Sequence, residues 1–376
     1  MQAKPWNFIV RTLTIVLGLL ICLPATAQRT PPLDISIDFE SYDPPSTLVV
    51  PENPRPRAKF PFIDIHSHQW RMADGDLSGL AAAMDSLNMQ IVVNLSGRNS
   101  QILKRMTENI DSQGYAKRMV VFSNIDFRTI DEYDWEEQTM KQLDYDVSNG
   151  ARGLKIYKSQ GMSHVDSKGQ RIPLNHPKLD AIWNKCGELG IPVLIHAADP
   201  KPFWMPHDSL NERWLELKLR PGRKRAHDDP APWETIIGEQ HDIIRRHKNT
   251  KFINAHFGWY ANDLQKLGEL LDEMPNMYVE TGAIIAELGR QPRMARKFFE
   301  QYQDRILFGK DSFQPSEYPT YFRVLETADE YFPYYKRYHA FWRMYGLDLP
   351  DDILKKVYYK NALRIVPGLD ASLFPE

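Results

Sequence analysis

Five residues of metal-ligating type recur in one setting, the end of an apolar run. His66 and His68 close the stretch Phe62-Ile63-Asp64-Ile65-His66-Ser67-His68, and His196 closes Val193-Leu194-Ile195. His256 follows Ile253-Asn254-Ala255, and Asp311 follows Ile306-Leu307-Phe308-Gly309-Lys310. Imidazole nitrogen and carboxylate oxygen together suit zinc or a similar first-row divalent cation, with one position left open for water. A His-x-His pair alone is a weak signal, because paired histidines also serve as ordinary hydrogen-bonded strand residues. Its weight comes from the later runs that end the same way.

Strands must carry these residues. Side chains alternate across a strand, so Asp64, His66 and His68 share one face while Ile63 and Ile65 share the other. Eight strand-like runs are predicted: Phe62–His66, Gln90–Asn94, Met119–Asn124, Ala151–Tyr157, Ile191–His196, Lys251–Ala255, Asn276–Glu280 and Arg305–Phe308. Most are rich in Val, Ile, Leu and Phe without polar alternation, as expected where helices cover both faces of a parallel sheet. Between them lie helical stripes. Leu77, Leu80, Met84 and Leu87 form one; Leu179, Ile182, Trp183, Cys186 and Leu189 form another, with Asn175 or His176 as cap, Pro177 in the first turn and Gly190 at the exit. Asn262 opens a third, carrying Leu264, Leu267 and Leu271, and residues 352–365 read as a closing amphipathic helix.

This alternation predicts an α/β fold, a single-domain (β/α)8 TIM barrel. The alternative, a doubly wound open sheet, lacks its phosphate loop: His-Ser-His stands where the glycines would follow the first strand. In a barrel every strand end faces one rim, so the five residues converge although they are remote in sequence. Arg98, just past the second strand, and Arg213 are candidate partners for a substrate carboxylate, and Glu280, ending the seventh run, is a third polar contact.

The remainder of the chain is organised around that barrel. Of 376 residues, 42% are hydrophobic and 26% charged, and the net charge of −2 leaves no basic field for nucleic acid. A small molecule is the expected partner, and the sequence leaves monomer and homo-oligomer equally open. Residues 1–27 read as a signal peptide: Lys4 and Arg11 form a positive head, Thr12 to Leu23 is apolar, and Ala25-Thr26-Ala27 offers a cleavage site. The expectation is a periplasmic or secreted protein with no stable membrane span after cleavage. Cys22 would leave with the signal, so Cys186 stands alone and no internal disulfide can form. Residues 28–59, dense in proline, read as an extended N-terminal arm, and residues 60–376 as the barrel domain. The largest insertion, Pro200 to Trp233, follows the fifth strand and therefore lies on the active face; its basic run of Arg220, Arg223, Lys224 and Arg225 reads as a solvated loop. The aromatic-rich stretch Tyr318 to Tyr345 reads as helix packing.

Taken together, Ile-Asp-Ile-His-Ser-His, Gly153-Leu154-Lys155, Val-Leu-Ile-His196, Ile-Asn-Ala-His256 and Leu-Phe-Gly-Lys-Asp311 resemble the amidohydrolase superfamily, and within it the amidohydrolase-related (amidohydrolase 2) branch of hydrolases and non-oxidative decarboxylases. The resemblance covers about residues 60–366. It implies that His66, His68, His196 and Asp311 ligate a metal, that Asp311 also takes a proton from bound water, and that His256 polarises the substrate or moves a proton. Lys155 falls where binuclear members carry a carboxylated lysine bridging two metals; the motif style favours one metal per chain, most simply Zn. The family commonly has Gly-Thr-Asp or Gly-Ser-Asp where this chain has Gly309-Lys310-Asp311. Three readings follow: an exported metal-dependent hydrolase of an amide, ester or lactone; a metal-dependent decarboxylase; and, on the strength of Lys310 alone, a non-catalytic binding protein.

Overall fold

The computed structural model describes residue 2 and residues 35–375, so the expected signal segment, Cys22 included, lies outside the described residues. Contacts divide the chain into two units, up to Pro44 and from Pro45 onward. In the first, Asp38 caps a short 3-10 turn, Phe39–Ser41. Everything that follows concerns the second.

Eight strands, β1 (Phe62–Ser67), β2 (Met89–Asn94), β3 (Met119–Ser123), β4 (Ala151–Ile156), β5 (Val193–Ile195), β6 (Phe252–Asn254), β7 (Met277–Glu280) and β8 (Ile306–Leu307), form one sheet in sequence order, each parallel to the next. The chain is a (β/α)8 TIM barrel. Its first and last strands meet through Ile65 N donating to Phe308 O at 3.0 Å and Asp311 N donating to His66 O at 2.7 Å, with a parallel bridge between Ser67 and Asp311. Both oxygens of buried Asp64 work along this seam: Oδ1 accepts from the amides of His66 (3.0 Å) and Lys310 (3.1 Å), and Oδ2 from the Tyr318 hydroxyl (2.6 Å). Beside it, Phe62 packs edge-on against Phe308 at 4.9 Å and against Phe322 at 5.4 Å.

Each predicted strand is present, with ends that shift for local reasons. The fifth begins at Val193 instead of Ile191, because Pro192 has no N–H to give the ladder; Val193 N is the first donor, to Lys251 O at 2.9 Å. Around the stripe at 177–189, His176 provides the cap and Pro177–Leu179 form a 3-10 turn before the helix Asp180–Glu188. The helix Leu264–Glu273 is capped by Asp263, whose side chain accepts from Lys266 N at 3.0 Å, and not by Asn262. The closing helix contains a π segment, Lys356–Lys360, where the Val357 carbonyl accepts from Phe308 N at 2.9 Å.

Two departures shape the rim. The stretch 318–345 is only partly helix: Tyr318–Glu326 packs Tyr318, Tyr321 and Phe322 into the core, but the remainder folds over as a hairpin of β9 (Phe332–Pro333) and β10 (Arg343–Met344). The insertion after β5 is also structured, with a helix Trp214–Leu219 anchored by buried Asn211 and Trp204. Its basic run is only half solvated, since Arg223 binds Glu216 and Arg225 binds Asp199. Of the proline-rich arm, the part within the second unit is held by Asn53 N on Asp329 (2.7 Å) and Lys59 N on Glu326 (2.9 Å).

Candidate metal centre

The strand ends are held in an unusual backbone state. Arg98, Ala198, His256, Ala283 and Asp311, following β2, β5, β6, β7 and β8, all have φ between 57° and 79°. That left-handed region costs a non-glycine residue roughly 1–2 kcal/mol, so packing at the rim must hold these turns in place. Gly309 is required here for a different reason: a Cβ on it would lie 2.1 Å from Glu280 Oε2 and 3.0 Å from His66 Cβ.

His66, His68 and Asp311 meet at the β1–β8 seam. Asp311 Oδ1 is 3.4 Å from His66 Nε2 and 3.6 Å from His68 Nε2. Ligands at 2.0–2.2 Å from one tetrahedral ion are roughly 3.3–3.6 Å apart, so these edges fit a first-row cation. Hydrogen bonding behind each ring decides where its lone pair points. His66 Nδ1 donates to Glu280 Oε1 at 2.9 Å, leaving Nε2 as a buried acceptor with no partner among the described residues. The hydrogen-bond chain behind His68 ends on a carbonyl, which can only accept. The Tyr157 hydroxyl donates to Leu95 O (3.0 Å), so Ser96 Oγ donates to Tyr157 (3.0 Å), and His68 Nδ1 must donate to Ser96 (2.8 Å). Its Nε2 is then also a lone pair facing Asp311.

His196 is not part of this cluster; it lies against His256. Gly282 O accepts from His256 Nδ1 at 2.7 Å, so in the neutral ring His256 Nε2 accepts from His196 Nδ1 at 3.3 Å. This leaves His196 Nε2 buried, unprotonated and without a partner among the described residues, a further lone pair at the rim. Trp259 stacks over His256 at 4.5 Å.

Burial keeps the imidazoles neutral. Desolvation, then the charge of Lys155, drives His66 well below the ordinary histidine value and brings His68 down to about 4; desolvation, then His256, drives His196 well below it. Neutral imidazole is the ligating form. Burial opposes ionisation of Asp311, but His66, His256, His68 and Lys155 outweigh it and hold the carboxyl well below the usual range. A cluster of neutral nitrogens and one carboxylate is the donor set a divalent cation takes. Burial also raises Glu280, against the pull of His256 and of the amides of His256 (2.7 Å) and Gly282 (2.6 Å) that it accepts from. Glu280 thus sits fully buried behind His66, away from the open cleft where the sequence placed it. His66, His256 and Glu280 form a second possible ligand group, but Glu280 Oε1 there is already taken by N–H donors.

Lys155 points into the barrel, 1% exposed, its Nζ without a hydrogen-bond partner among the described residues. Desolvation, against the attraction of Asp311 and Glu280, lowers its pKa to about 8. Lys310 turns away from the centre: its ammonium binds Glu317 and Ser312 O (2.9 Å) among Tyr318, Tyr321 and Tyr335. The departure at Gly-Lys-Asp therefore leaves the centre undisturbed, and the binding-protein reading loses its support. Arg98 is exposed and stacks on Trp70 at 5.0 Å, which in turn stacks on His68. Arg213 is buried, its guanidinium shared by Glu216 (2.9 Å), Glu287 and His339 Nδ1 (3.2 Å).

The cleft above the centre holds about 150 Å³ and reaches His196, His256 and Asp311. A cavity of roughly that size takes one benzene ring. Sequence reasoning missed Ser96 and Tyr157, although Tyr157 lies two positions beyond Lys155 on the same face, and it missed the hairpin residues that line the cleft.

A sequence model described as Amidohydrolase matches residues 131–368, starting beyond β1 and its two histidines. No curated protein matches the chain. Among solved structures, an uncharacterised TIM-barrel protein of Bordetella bronchiseptica shares 14% identity, with a TM-score of 0.50 over 81% of this chain and 97% of that one. A 2,6-dihydroxybenzoate decarboxylase solved with 2,6-dihydroxybenzoate shares 12%, with a TM-score of 0.50 over 81% and 99%. A dihydroxybenzoic acid decarboxylase of Polaromonas, solved with manganese and 2-nitroresorcinol, shares 11%, with a TM-score of 0.51 over 84% and 99%. At these identities the likeness is one of fold. The family match spans more than half of the chain, and on that ground the protein belongs to the amidohydrolase family of metal-dependent enzymes.

Proposed function

We propose that this chain is an exported metal-dependent hydrolase that cleaves an amide, ester or lactone bond of a small molecule. One observation carries the reading: His66 Nε2, His68 Nε2 and Asp311 Oδ1 face one another with no hydrogen-bonding proton between them, below a cleft of single-ring size. A divalent ion, zinc and one per chain in our assignment, would supply there a water of lowered pKa and a polarised carbonyl. His66, His68 and Asp311 would hold it, and His196, which stands outside their cluster against His256, would have to turn its Nε2 to the ion to serve as the further ligand. Glu280 and the Ser96–Tyr157 relay fix the tautomers. His256, with Nδ1 tied to Gly282 O, presents Nε2 for proton transfer, and Trp259 shields it from bulk water. Asp311 is the carboxylate that faces Nε2 of both ligating histidines and is our assignment for the proton acceptor. Lys155 supports the site from below as an uncarboxylated side chain. Arg98 at the rim is a candidate substrate contact, whereas Arg213 acts through the loops it joins. Export rests on the signal-like residues 1–27.

The second reading is a carboxy-lyase on the same residues. It is favoured by the cleft lining, where Lys158, Arg213, Arg223 and Lys336 outnumber Asp199, Glu216 and Asp311 and so suit an acidic substrate. Elemental analysis and product analysis in labelled water test both. About one metal per chain and solvent oxygen in the product are expected. Carbon dioxide without solvent oxygen would assign the lyase, and two metals would make Lys155 a carboxylated bridge. A His66→Ala/His68→Ala variant that still turned substrate over would overturn the metal chemistry altogether.

A further inference from the structure

The cations lining the cleft are not equivalent. Lys158 Nζ binds Asp199 Oδ1 at 2.6 Å, Arg213 is held by Glu216 and Glu287, and Arg223 by Glu216. Lys336 is different. It comes from the β9–β10 hairpin, lines the same cleft as His256 and Asp311, and among the described residues has no carboxylate within ion-pair distance. The carboxylates whose charge reaches it are Glu317, bound by Lys310, and Asp311, facing the histidines. Its one packing partner of note is the Tyr335 ring, 5.5 Å from Nζ. Desolvation, then the neighbouring Lys310 charge, lowers its pKa. A half-buried ammonium in that position carries an electrostatic cost that a bound anion would relieve.

A second unmatched donor lies on the same cleft. Trp259 Nε1 is buried and has no hydrogen-bond partner among the described residues, although its ring stacks on His256. Phe203 and Tyr338 add aromatic walls. An N–H donor and an ammonium, both unmatched among the described residues and lining one cleft with aromatic side chains, describe a receptor for a compact planar anion.

We propose that Lys336 is the anion-recognising residue of this cleft and that the substrate carries a carboxylate, or a group of the same charge and size, which Lys336 binds away from the metal ligands. Trp259 Nε1 is the accompanying donor. Lys336 is then a specificity-determining residue supplied by the hairpin, on a segment separate from every metal ligand. The inference deepens the proposed function and rests on it for the position of the reacting bond, but not for the anion site itself.

Benzoate and its neutral isostere benzamide are suitable probes, titrated calorimetrically into the metal-loaded protein. Wild type is expected to prefer benzoate by at least about tenfold, the effect of one hydrogen bond to a charged group. Lys336→Met should abolish the preference, while Lys336→Arg should keep most of it; metal content should stay the same in both. Equal binding of the two probes by wild type would overturn the proposal. So would a preference that survives in Lys336→Met, since the metal would then be the anion receptor. If Lys336→Met were unstable, a Lys336→Arg variant that lost the preference, or a wild type without one, would decide against the site. A chain that binds no metal yet shows the Lys336-dependent preference would sink the hydrolase reading and leave the anion site intact.

Discussion

Two clusters of buried polar groups lie within the rim, and they are built on opposite plans. In the strand-end cluster, His66 Nε2, His196 Nε2 and Lys155 Nζ lack hydrogen-bond partners among the described residues. In the loop cluster, Arg213 is shared between Glu216 and Glu287, and Glu216 also meets Arg223 and, at 3.3 Å, His339 Nε2. The first leaves its valences open and gains from a guest. The second pairs each guanidinium with a carboxylate, although Arg213 Nε, Glu287 Oε2 and His339 Nε2 have no hydrogen bond among the described residues, and it clips the β5 insertion to the hairpin. Buried charge therefore does not mark a reactive centre; the distinction lies in whether the surrounding groups complete it.

Removing the guest's ligands should have the largest effect. His66→Ala/His68→Ala should abolish metal retention and lower turnover by at least about a thousandfold, while melting in chelator stays within a few degrees of wild type. Metal added at a hundred times its Kd should stabilise wild type by about 2.7 kcal/mol and the variant not at all, as calorimetry with and without chelator would show. Breaking the internally matched cluster should reverse the pattern. Arg213→Met strands buried Glu287, leaves Glu216 to Arg223, and should cost about 3–5 kcal/mol in denaturant unfolding, with or without metal.

A buried imidazole outside both clusters gives a control. His241, stacked on Tyr260, is lowered by desolvation and then by Arg245 to about 4. Its folded pKa lies below the unfolded value near 6.5, so between these values the unfolded chain binds more protons and stability falls as the medium is acidified. His241 should contribute about 3 kcal/mol of the loss from pH 7 to pH 4, so the His241→Phe variant should lose that much less than wild type in paired denaturation curves. Smaller again, Glu280→Gln should weaken metal affinity by about 10–100-fold, because His66 loses the partner that fixes its tautomer. A metal titration in which Glu280→Gln matched wild type would collapse the distinction between the two clusters.

The barrel was legible because parallel strands buried on both faces must be apolar throughout, and each such run stands out between amphipathic helices. The identities at the strand ends were legible for the same reason. Side-chain direction was not. His196 turns to His256, and Glu280 lies beneath His66, because rotamers and neighbours across the barrel decide those contacts and strand alternation does not. Lys310 is a further case: adjacent to a ligand and itself buried, it is drawn away from the centre by Glu317 and the Ser312 carbonyl. The hairpin at 332–344 escaped because its aromatic residues look the same whether they pack a helix or cover a cleft.

The seam of the barrel carries one further consequence. Asp64 and Lys310 lie 246 positions apart, and the donors beside them, His66, His68 and Asp311, come within bonding range of each other only when β1 and β8 have met in the right register. An ion captured there would act as a rivet across the closing edge, inspecting the one joint that chain entropy makes slowest to form. Ring closure and metal loading then become a single event, and a misaligned barrel would remain both open and empty.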